Sequence, residues 1–170
     1  KELFSTVKSL TLVPVSNWVS SILNKSFLAS FPRKTIYNGV DLNVFYPRNS
    51  SIRKSLGLDN KFILLGVAFP WTERKGFKDY IKLRKRLQSD IVIIMIGVSD
   101  ADKKQLPEGI IGVGRTQNQD ELACYYSTAD IILNLSYQET FGMTSVEGMA
   151  CGTPTIVYNR TASPELVDSN

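Results

Sequence analysis

The sequence predicts an α/β fold built on a doubly wound parallel sheet with helices on both of its faces. Three strongly apolar runs, at 61–69, 91–98 and 130–136, have the composition of strands that are buried on both sides. Segments with helical periodicity separate these runs, and this alternation is typical of βαβ units. The chain has 170 residues, of which 43% are hydrophobic, so it is long enough to bury one sizeable core.

The part of the chain before the first of these runs has weaker patterns. The segment 11–16 is predicted to be a strand, and a helix is predicted to open near Asn17. A second strand, 34–47, is expected to run into a turn at Asn38–Gly39, because this pair permits positive φ. The serine-rich segment 50–58 has the pattern of a short capped helix.

The alternation of strands and helices continues after the first apolar run. A helix is predicted over 76–88, with its apolar residues on one face, and a short strand over 109–114. The next helix, 118–129, begins with Asn118 and Glu121 in the spacing of a capping box.

The last third of the chain completes the pattern. A helix is expected to begin near Gly142 and to end at Gly152, a typical position for the residue that follows a helix. The segment 153–158 is a further predicted strand. Ser163 as N-cap, followed by Pro164, predicts the start of another helix.

The composition excludes several kinds of chemistry. Histidine is absent, which removes the commonest general base and the commonest metal ligand. Any reaction must therefore use carboxylates, lysine, arginine or backbone amides, or residues outside this chain. Residues 1–90 have a charge balance of +10 and residues 91–170 one of −6. We expect an anionic ligand to contact the first half while the second half supplies acids.

The sequence has no pattern of a membrane-spanning or secreted protein. No apolar run approaches the roughly 18 residues that a transmembrane helix needs. Residues 1–16 lack the cleavage site of a signal peptide. Cys124 and Cys151 have no metal-binding spacing and are expected to be buried free thiols, which fits a reducing compartment.

Two glutamates flank the predicted helix start at Gly142. Parallel sheets bind ligands beyond the carboxyl ends of their strands, where the amides of Gly142, Met143 and Thr144 would be unpaired donors suited to phosphate. Glu147, one turn into the helix, could accept two hydrogen bonds from a vicinal diol such as ribose. Glu139, on the loop, could reach a group beyond the phosphates. The alternative is that both acids only favour a helix N-terminus, which suits Glu139 better than Glu147.

Two cations follow the first apolar run. Arg74 and Lys75 stand on a loop just before the helix opened by Gly76, so they are expected near the same crevice and near a phosphate. The other basic residues of this region are expected to form a solvated helix face. They are Lys78, Lys82, Lys85 and Arg86.

Two further motifs are weaker. Asp100 and Asp102 match the Asp-x-Asp metal motif of another class of transferases, but a single match in a polar loop occurs mostly by chance. The segment 112–117 begins like the dinucleotide fingerprint GxGxxG, yet Gln117 stands where the third glycine belongs. Neither motif is expected to be functional.

Several segments together resemble one known family. They are "VPVSNWV", "IYNGVDLNVFYP", "GVAFPWTERKGF" and "SYQETFGMTSVEGMACGTPTIVYNRTASPEL". The chain resembles the C-terminal, nucleotide-sugar-binding half of group 1 retaining glycosyltransferases with the GT-B fold. This resemblance implies a Rossmann-like donor-binding domain over 34–170, truncated at its C-terminal end. Residues 1–33 would be the end of the N-terminal domain and the crossover segment.

The resemblance implies which residues hold the donor diphosphate. Lys75, together with Arg74, would neutralise it, and the amides of Gly142, Met143 and Thr144 would bind its oxygens. Family members usually have an arginine a few residues before the lysine, after a glycine. This chain has "AFPW" there, which leaves open whether Arg74 takes that role.

The resemblance also implies the remaining roles. Glu139 would act on the transferred sugar as the catalytic residue, with Phe141 and Gly142 beside it, and Glu147 would bind the ribose hydroxyls. The nucleobase would be bordered by Gly114, Arg115 and Thr116.

The function implied by the resemblance is retaining transfer of a hexose from a UDP-, GDP- or ADP-sugar, without a metal or another cofactor. The acceptor would be a saccharide or a lipid-linked molecule, bound through an N-terminal domain that this chain largely lacks, so residues 1–170 alone should be inactive. We expect a role in bacterial polysaccharide or glycoconjugate biosynthesis, in the cytoplasm, where the inner face of the membrane is one possible place of action. Nucleic acid is not an expected partner.

Two alternatives differ in class. A non-catalytic, Rossmann-like nucleotide-binding module would need Glu147 and the cations but no group at the sugar, so Glu139 separates it from an enzyme. A membrane-surface domain would use the basic helix 76–88, although the apolar face of this helix has the pattern of a core.

Overall fold

The computed structural model describes residues 6–167 and contains one parallel sheet. Its five strands lie in the order β3-β2-β1-β4-β5, and every neighbouring pair is parallel. The strands are β1 (Phe62–Val67), β2 (Ile91–Ile96), β3 (Ile110–Val113), β4 (Ile131–Asn134) and β5 (Thr155–Val157).

Helices connect the strands, as the alternating pattern predicted, and two further helices of the described residues precede the first strand. They are α1 (Asn17–Leu23), α2 (Ile52–Ser55), α3 (Phe77–Arg84), α4 (Asp100–Lys103), α5 (Gln119–Thr128) and α6 (Met143–Ala150). Two short 3-10 helices, Glu73–Lys75 and Ser163–Leu166, lie in the loops after β1 and β5. In the described part of the chain, every helix is too short or too polar to cross a bilayer.

Two apolar cores lie on opposite faces of the sheet. Ile63 and Leu65 of β1 are buried in one core with residues of α5. Leu64, between them, is buried in the other core with Phe77 and Tyr80 of α3. Because side chains alternate along a strand, this division places helices on both faces. The predicted doubly wound, Rossmann-like α/β fold is therefore confirmed.

The ends of the last two long helices are stabilised as their sequences predict. The side chain of Asn118 accepts a hydrogen bond from the amide of Glu121 at 2.8 Å. The carboxylate of Glu121 accepts a hydrogen bond from the amide of Gln117 at 2.6 Å, and not from the amide of Asn118 as in a standard capping box. This half of the predicted capping box is therefore displaced by one residue. Beyond α6, Gly152 has a φ of 83° and its amide donates to the carbonyl of Met149 at 2.9 Å.

The two strands predicted near the N-terminus, 11–16 and 34–47, are absent. A single parallel bridge joins Leu12 to Arg33. Backbone hydrogen bonds around this bridge join residues 12–14 to residues 32–36. Segment 34–47 is therefore extended at first but belongs to no sheet. The composition of these segments is typical of strands, but each lacks a neighbour with which to form a longer ladder.

Two local predictions were also wrong. Neither residue of the pair Asn38–Gly39 has a positive φ, and the turn lies at Asp41–Val44, where the amide of Val44 donates to the carbonyl of Asp41 at 3.1 Å. The last helical segment is a 3-10 helix capped by Ala162, with Ser163 inside it and Pro164 in its first turn. Ser163 is therefore not an N-cap.

One acid fastens α1 to the rest of the domain. The carboxylate of Glu165 accepts hydrogen bonds from the amides of Asn17 and Trp18, at 2.8 and 2.7 Å, and from the hydroxyl of Tyr37 at 2.9 Å. These amides are the first two of α1, where unpaired donors and the helix dipole favour a carboxylate. The segment predicted as a crossover thus contacts the end of the sheet domain. The proposed boundary at residue 33 stays a prediction.

Both cysteines are free thiols, as expected. Cys151 is buried behind α6, whereas Cys124 is only half-buried.

Candidate functional site

The candidate site lies where the order of the strands reverses. From β1 the chain adds β2 and β3 on one side, and it then crosses to place β4 on the other side of β1. The loops that follow β1 and β4 therefore diverge from each other at the carboxyl edge of the sheet. In open α/β sheets this is the place where ligands bind.

The loop after β1 is held against the end of β4. Gly76 has a φ of 78°, and a Cβ added there would overlap the carbonyl oxygen of Leu135 and lie 2.9 Å from its Cβ. The amide of Tyr137 donates to the carbonyl of Arg74 at 2.8 Å. Only glycine permits both this backbone conformation and this close approach. The approach brings Lys75 to the loop that precedes α6.

Lys75 and Glu139 form an ion pair in this crevice. Lys75 Nζ lies 2.6 Å from Glu139 Oε1, although 64 positions separate the two residues. The two side chains are 29% and 13% exposed. The loop of Glu139 is fixed from behind, since its amide donates to Thr161 Oγ1 at 3.0 Å. Trp18, from α1, lines the same cleft of about 290 Å³.

The start of α6 presents free amides, as the sequence predicted. Gly142 has a φ of 106° and no side chain caps the helix. The amides of Gly142, Met143 and Thr144 donate no hydrogen bond to any group of residues 6–167. A negatively charged group would satisfy these donors and would be stabilised by the helix dipole.

The side chain of Phe141 does not face the crevice. It is 4% exposed and its ring lies 5.8 Å from that of Tyr37. Only the backbone of Phe141 could therefore contact a sugar. If Phe141 has the predicted role at the sugar, its backbone amide must perform it.

Glu147 lies on α6, one turn beyond Thr144 and on the same side of the helix. Its Oε2 accepts a hydrogen bond from the hydroxyl of Tyr126, on α5, at 2.9 Å. Burial raises the pKa of the Glu147 carboxyl above its usual value, and the hydrogen bond from Tyr126 opposes this rise. The carboxylate is thus oriented by a neutral donor, whereas Glu139 is paired with a cation.

A cleft of about 360 Å³ lies between the ends of β1 and β2 and the start of α5. Arg115 and Thr116 line it together with Thr144 of α6. The guanidinium of Arg115 stacks over the ring of Phe69 at 4.6 Å from its centroid. The carbonyl of Gly114, just outside this cleft, accepts a hydrogen bond from Gly97 at 3.1 Å. The predicted nucleobase region and the predicted phosphate region therefore share one continuous edge.

Arg74 lies between two clefts. It lines the cleft that contains Lys75 and Glu139, and also a polar cleft of about 450 Å³ that includes Lys78 and Arg160. Its guanidinium forms no ion pair or side-chain hydrogen bond with the described part of the chain. Arg74 is therefore free to turn toward a ligand in the crevice, and its exact partner stays a prediction.

The weaker motifs have structural roles. Asp100 and Asp102 lie in α4, where Asp100 pairs with Lys103 at 2.9 Å and Asp102 bonds the N-cap Ser99. Between residues 6 and 167, no group of three or more acids and cysteines is placed to hold a metal ion. The segment 112–117 runs from the end of β3 to the residue before Asn118, the N-cap of α5, and Gln117 stands where the fingerprint requires a third glycine.

Four residues near the site were not predicted from the sequence. Trp18 and Phe69 line the two clefts, Tyr126 bonds Glu147, and Thr161 supports the loop of Glu139. None of them has a motif of its own. Phe69 was the easiest of them to predict, because it is the last residue of the first apolar run, 61–69.

Comparison with known proteins identifies the family. Residues 49–170 match the sequence profile described as "Glycosyl transferases group 1". The chain belongs to the group 1 glycosyltransferases. The profile covers the free helix start, both glutamates and Lys75 of this glycosyltransferase chain.

Its curated relatives are longer glycosyltransferases. A D-inositol 3-phosphate glycosyltransferase of Arthrobacter sp. (strain FB24) is 34% identical over 134 residues, which cover 69% of this chain and 32% of the relative. An N-acetyl-alpha-D-glucosaminyl L-malate synthase of Bacillus anthracis is 23% identical over 161 residues, or 86% of this chain and 42% of the relative. The chain thus spans well under half the length of either relative.

Solved structures share its fold. Anabaena Alr3699/HepE, in complex with UDP-glucose, has a TM-score of 0.80 at 22% identity, over 98% of this chain and 49% of that one. A sucrose-phosphate synthase from Thermosynechococcus elongatus has a TM-score of 0.79 at 23% identity, over 91% of this chain and 42% of that one. At these identities the likeness shows the Rossmann-like half of a GT-B glycosyltransferase fold and nothing finer.

Proposed function

We propose that this chain is the donor-binding domain of a retaining glycosyltransferase that uses a nucleoside diphosphate sugar. The observation that supports this most directly is the meeting of Lys75 and Glu139 beside the free amides of α6. A cation and unpaired amides suit a diphosphate, and a carboxylate beside them suits the hydroxyls of a sugar. The solved relative from Anabaena was crystallised with UDP and with UDP-glucose, which favours a donor of this class.

The diphosphate would lie between Lys75, Arg74 and the amides of Gly142, Met143 and Thr144. As the bond to the sugar breaks, negative charge develops on the leaving diphosphate. Donors that are already aimed at that charge stabilise the transition state without reorganising. This arrangement requires no metal ion, and we propose that none takes part.

The rest of the donor would extend in two directions. The ribose would lie at Glu147 and the base in the cleft bordered by Gly114, Arg115 and Thr116. The sugar would lie at Glu139, beside the backbone of Phe141 and Gly142. In this proposal the base, ribose, phosphates and sugar lie along the crevice in the order in which a nucleotide sugar joins them.

The acceptor and the setting are broader proposals. The relatives are named for inositol phosphate and malate acceptors, and one solved relative for lipopolysaccharide biosynthesis. We propose a saccharide, lipid-linked or small polar acceptor in bacterial polysaccharide or glycoconjugate synthesis, bound by chain outside this domain. Action in the cytoplasm, at the inner face of the membrane if the acceptor is a lipid, would suit these acceptors.

A direct test is to measure the binding of UDP, GDP and ADP by calorimetry and then to replace Lys75. A charge-assisted hydrogen bond contributes about 1.5–3 kcal/mol, so Lys75→Ala should weaken the best nucleotide at least tenfold. Lys78→Ala is the matched control, because Lys78 is an exposed lysine three residues away that pairs with Glu73. An equal effect of the two substitutions, or no binding of any nucleotide, would contradict the proposal.

A further inference from the structure

Among residues 6–167, the hydroxyl of Tyr126 has one hydrogen-bond partner, the carboxylate of Glu147. Tyr126 is fully buried in α5, and the bond to Glu147 Oε2 is 2.9 Å long. Its ring is fixed by an edge contact with Phe45, at 6.1 Å between centroids. Its carbonyl is held by the hydroxyl of Thr153 at 2.7 Å. The tyrosine is therefore a rigid donor whose position is set by the core.

The backbone of α6 is packed closely against this tyrosine. A Cβ added at Gly148 would lie 2.6 Å from the Ile132 side chain and 3.4 Å from the Tyr126 ring. The glycine therefore lets α6 approach β4 and α5 far enough for the carboxylate of Glu147 to reach the hydroxyl. This geometry explains why a glycine follows Glu147 in the sequence: the absence of a side chain at Gly148 lets Glu147 reach the hydroxyl of Tyr126.

We propose that Tyr126 is a positioning residue that holds Glu147 in place for the two hydroxyls of the donor ribose. This inference rests on the proposed function, because it assumes that Glu147 binds ribose. It adds a residue that does not itself touch the ligand. By fixing one carboxylate oxygen, Tyr126 would remove the rotamer freedom that Glu147 would otherwise lose on binding.

A neutral hydrogen-bond donor such as tyrosine suits this position. An ionised carboxylate has about four acceptor positions, and Tyr126 occupies one of them. Glu147 has no ion pair with any residue from 6 to 167, so its negative charge is not neutralised. A lysine in place of Tyr126 would compete with a neutral diol for that charge. A neutral hydroxyl orients the acid and leaves its remaining lone pairs for the ribose.

The ionisation of Glu147 provides a second measure of this contact. Two other titratable groups of the described residues interact with its carboxylate, the hydroxyl of Tyr126 and the thiol of Cys151. Burial raises the pKa of both, so both remain neutral in weakly acidic and neutral solution. The bond from Tyr126 lowers the pKa of Glu147 against the effect of burial, so its loss must raise that pKa further.

The experiment compares Tyr126→Phe with Tyr125→Phe in residues 1–170. Tyr125 is the neighbouring buried tyrosine, and its hydroxyl makes no hydrogen bond within the described chain, which makes it a matched control. The probes are the nucleoside diphosphate that binds best among UDP, GDP and ADP, and its 2′,3′-dideoxy form. Affinities are measured by calorimetry between pH 5 and pH 8, and melting curves confirm that each variant is folded.

We expect Tyr126→Phe to weaken the ribonucleotide about threefold to tenfold, the effect of one hydrogen bond, and to leave the dideoxy form unchanged. The ribose hydroxyls bind the ionised acid, so affinity is full above the pKa of Glu147 and falls below it. In Tyr126→Phe this fall should begin at a higher pH. Because both ligands carry the same phosphates, the effect of phosphate titration cancels in the ratio of their affinities. Tyr125→Phe should behave like the wild type.

The possible results separate the inference from the proposed function. If the wild type binds the ribonucleotide and its dideoxy form equally, Glu147 does not hold ribose, so the ribose assignment within the proposed function and the role of Tyr126 both fail. If the wild type prefers the ribonucleotide but Tyr126→Phe keeps the same preference and pH profile, only the role of Tyr126 is refuted. Should Tyr126→Phe not fold, Phe45→Leu, which removes the edge contact that fixes the Tyr126 ring, must reduce the preference for the ribonucleotide below that of the wild type; if it does not, the inference fails.

Discussion

Replacing Glu139 with glutamine should separate the nucleotide from the sugar. In the free protein Glu139 pairs with Lys75, the cation assigned to the diphosphate. A bound diphosphate must therefore share Lys75 with Glu139 or displace it, and the two anions repel each other. Glu139→Gln keeps the shape of the side chain but removes its charge. We expect this variant to bind UDP as tightly as the wild type or more tightly, and to bind UDP-glucose with less added affinity.

The size of the effect follows from the exposure of the pair. The side chains of Lys75 and Glu139 are 29% and 13% exposed, so solvent screens the ion pair only in part. We therefore take the upper end of the range for surface pairs, about 1 kcal/mol, as its contribution. Release of Lys75 should therefore strengthen UDP binding by no more than about fivefold. Loss of a charged acceptor for the sugar hydroxyls should reduce the additional affinity for UDP-glucose by about threefold to tenfold.

Calorimetry of three proteins with both ligands tests this division. The wild type, Glu139→Gln and Glu147→Gln are each titrated with UDP and with UDP-glucose, or with the GDP or ADP pair if that nucleotide binds better. Glu147→Gln should weaken both ligands of a pair equally, because both contain the ribose. If Glu139→Gln weakened the bare nucleotide as much as Glu147→Gln does, Glu139 would be a nucleotide ligand and the proposed division would be wrong.

Two further predictions concern the fold and the extent of the chain. Gly76→Ala should lower the free energy of unfolding by about 2–5 kcal/mol, because it combines a positive φ with overlap at Leu135. The control is Gly57→Ala, where φ is 66° and the space around the glycine is open, so the free energy of unfolding should fall by only about 1–2 kcal/mol. Urea unfolding measures both variants, and equal losses of stability would contradict the close approach of the two loops. Residues 1–170 should bind nucleotide but transfer no sugar, since two domains must close over the donor to exclude water and order the acceptor. Product formed at about one turnover per second or faster, detected by mass spectrometry, would show that no second domain is needed.

The sequence predicted the centre of the sheet better than its surroundings. The runs that contain Ile63, Ile93 and Ile132 are buried on both faces, so their composition alone identifies them as inner strands. The segments 11–16 and 34–47 have similar β-rich composition but only one bridge. A ladder depends on a partner that is distant in sequence, and no local pattern contains that information.

The same limit applies to the candidate site. The positions of two loops directly after predicted strands made it possible to predict that Lys75 and Glu139 border the same crevice. Their direct pairing depends on Gly76, which lets one loop overlap the end of β4. The bond from Tyr126 to Glu147 depends on how α5 packs against α6, which periodicity does not specify. Motifs therefore indicated the residues that we assign to the ligand, but not the residues that hold them.

The two acids of the site differ in their partners, and this difference suits the chemistry assigned to each. A ribose is uncharged, so an acid that binds it can keep the same neutral partner, here Tyr126, in the free and bound states. A diphosphate is charged, so its arrival must change the partner of any cation in its path. Glu139 is paired with such a cation, Lys75, so in the proposed function its surroundings would change when a diphosphate shares Lys75 or displaces Glu139 from it. The sugar-facing acid would then be freed from its cation at the step in which the sugar is delivered, so donor binding would prepare the group that acts on the sugar.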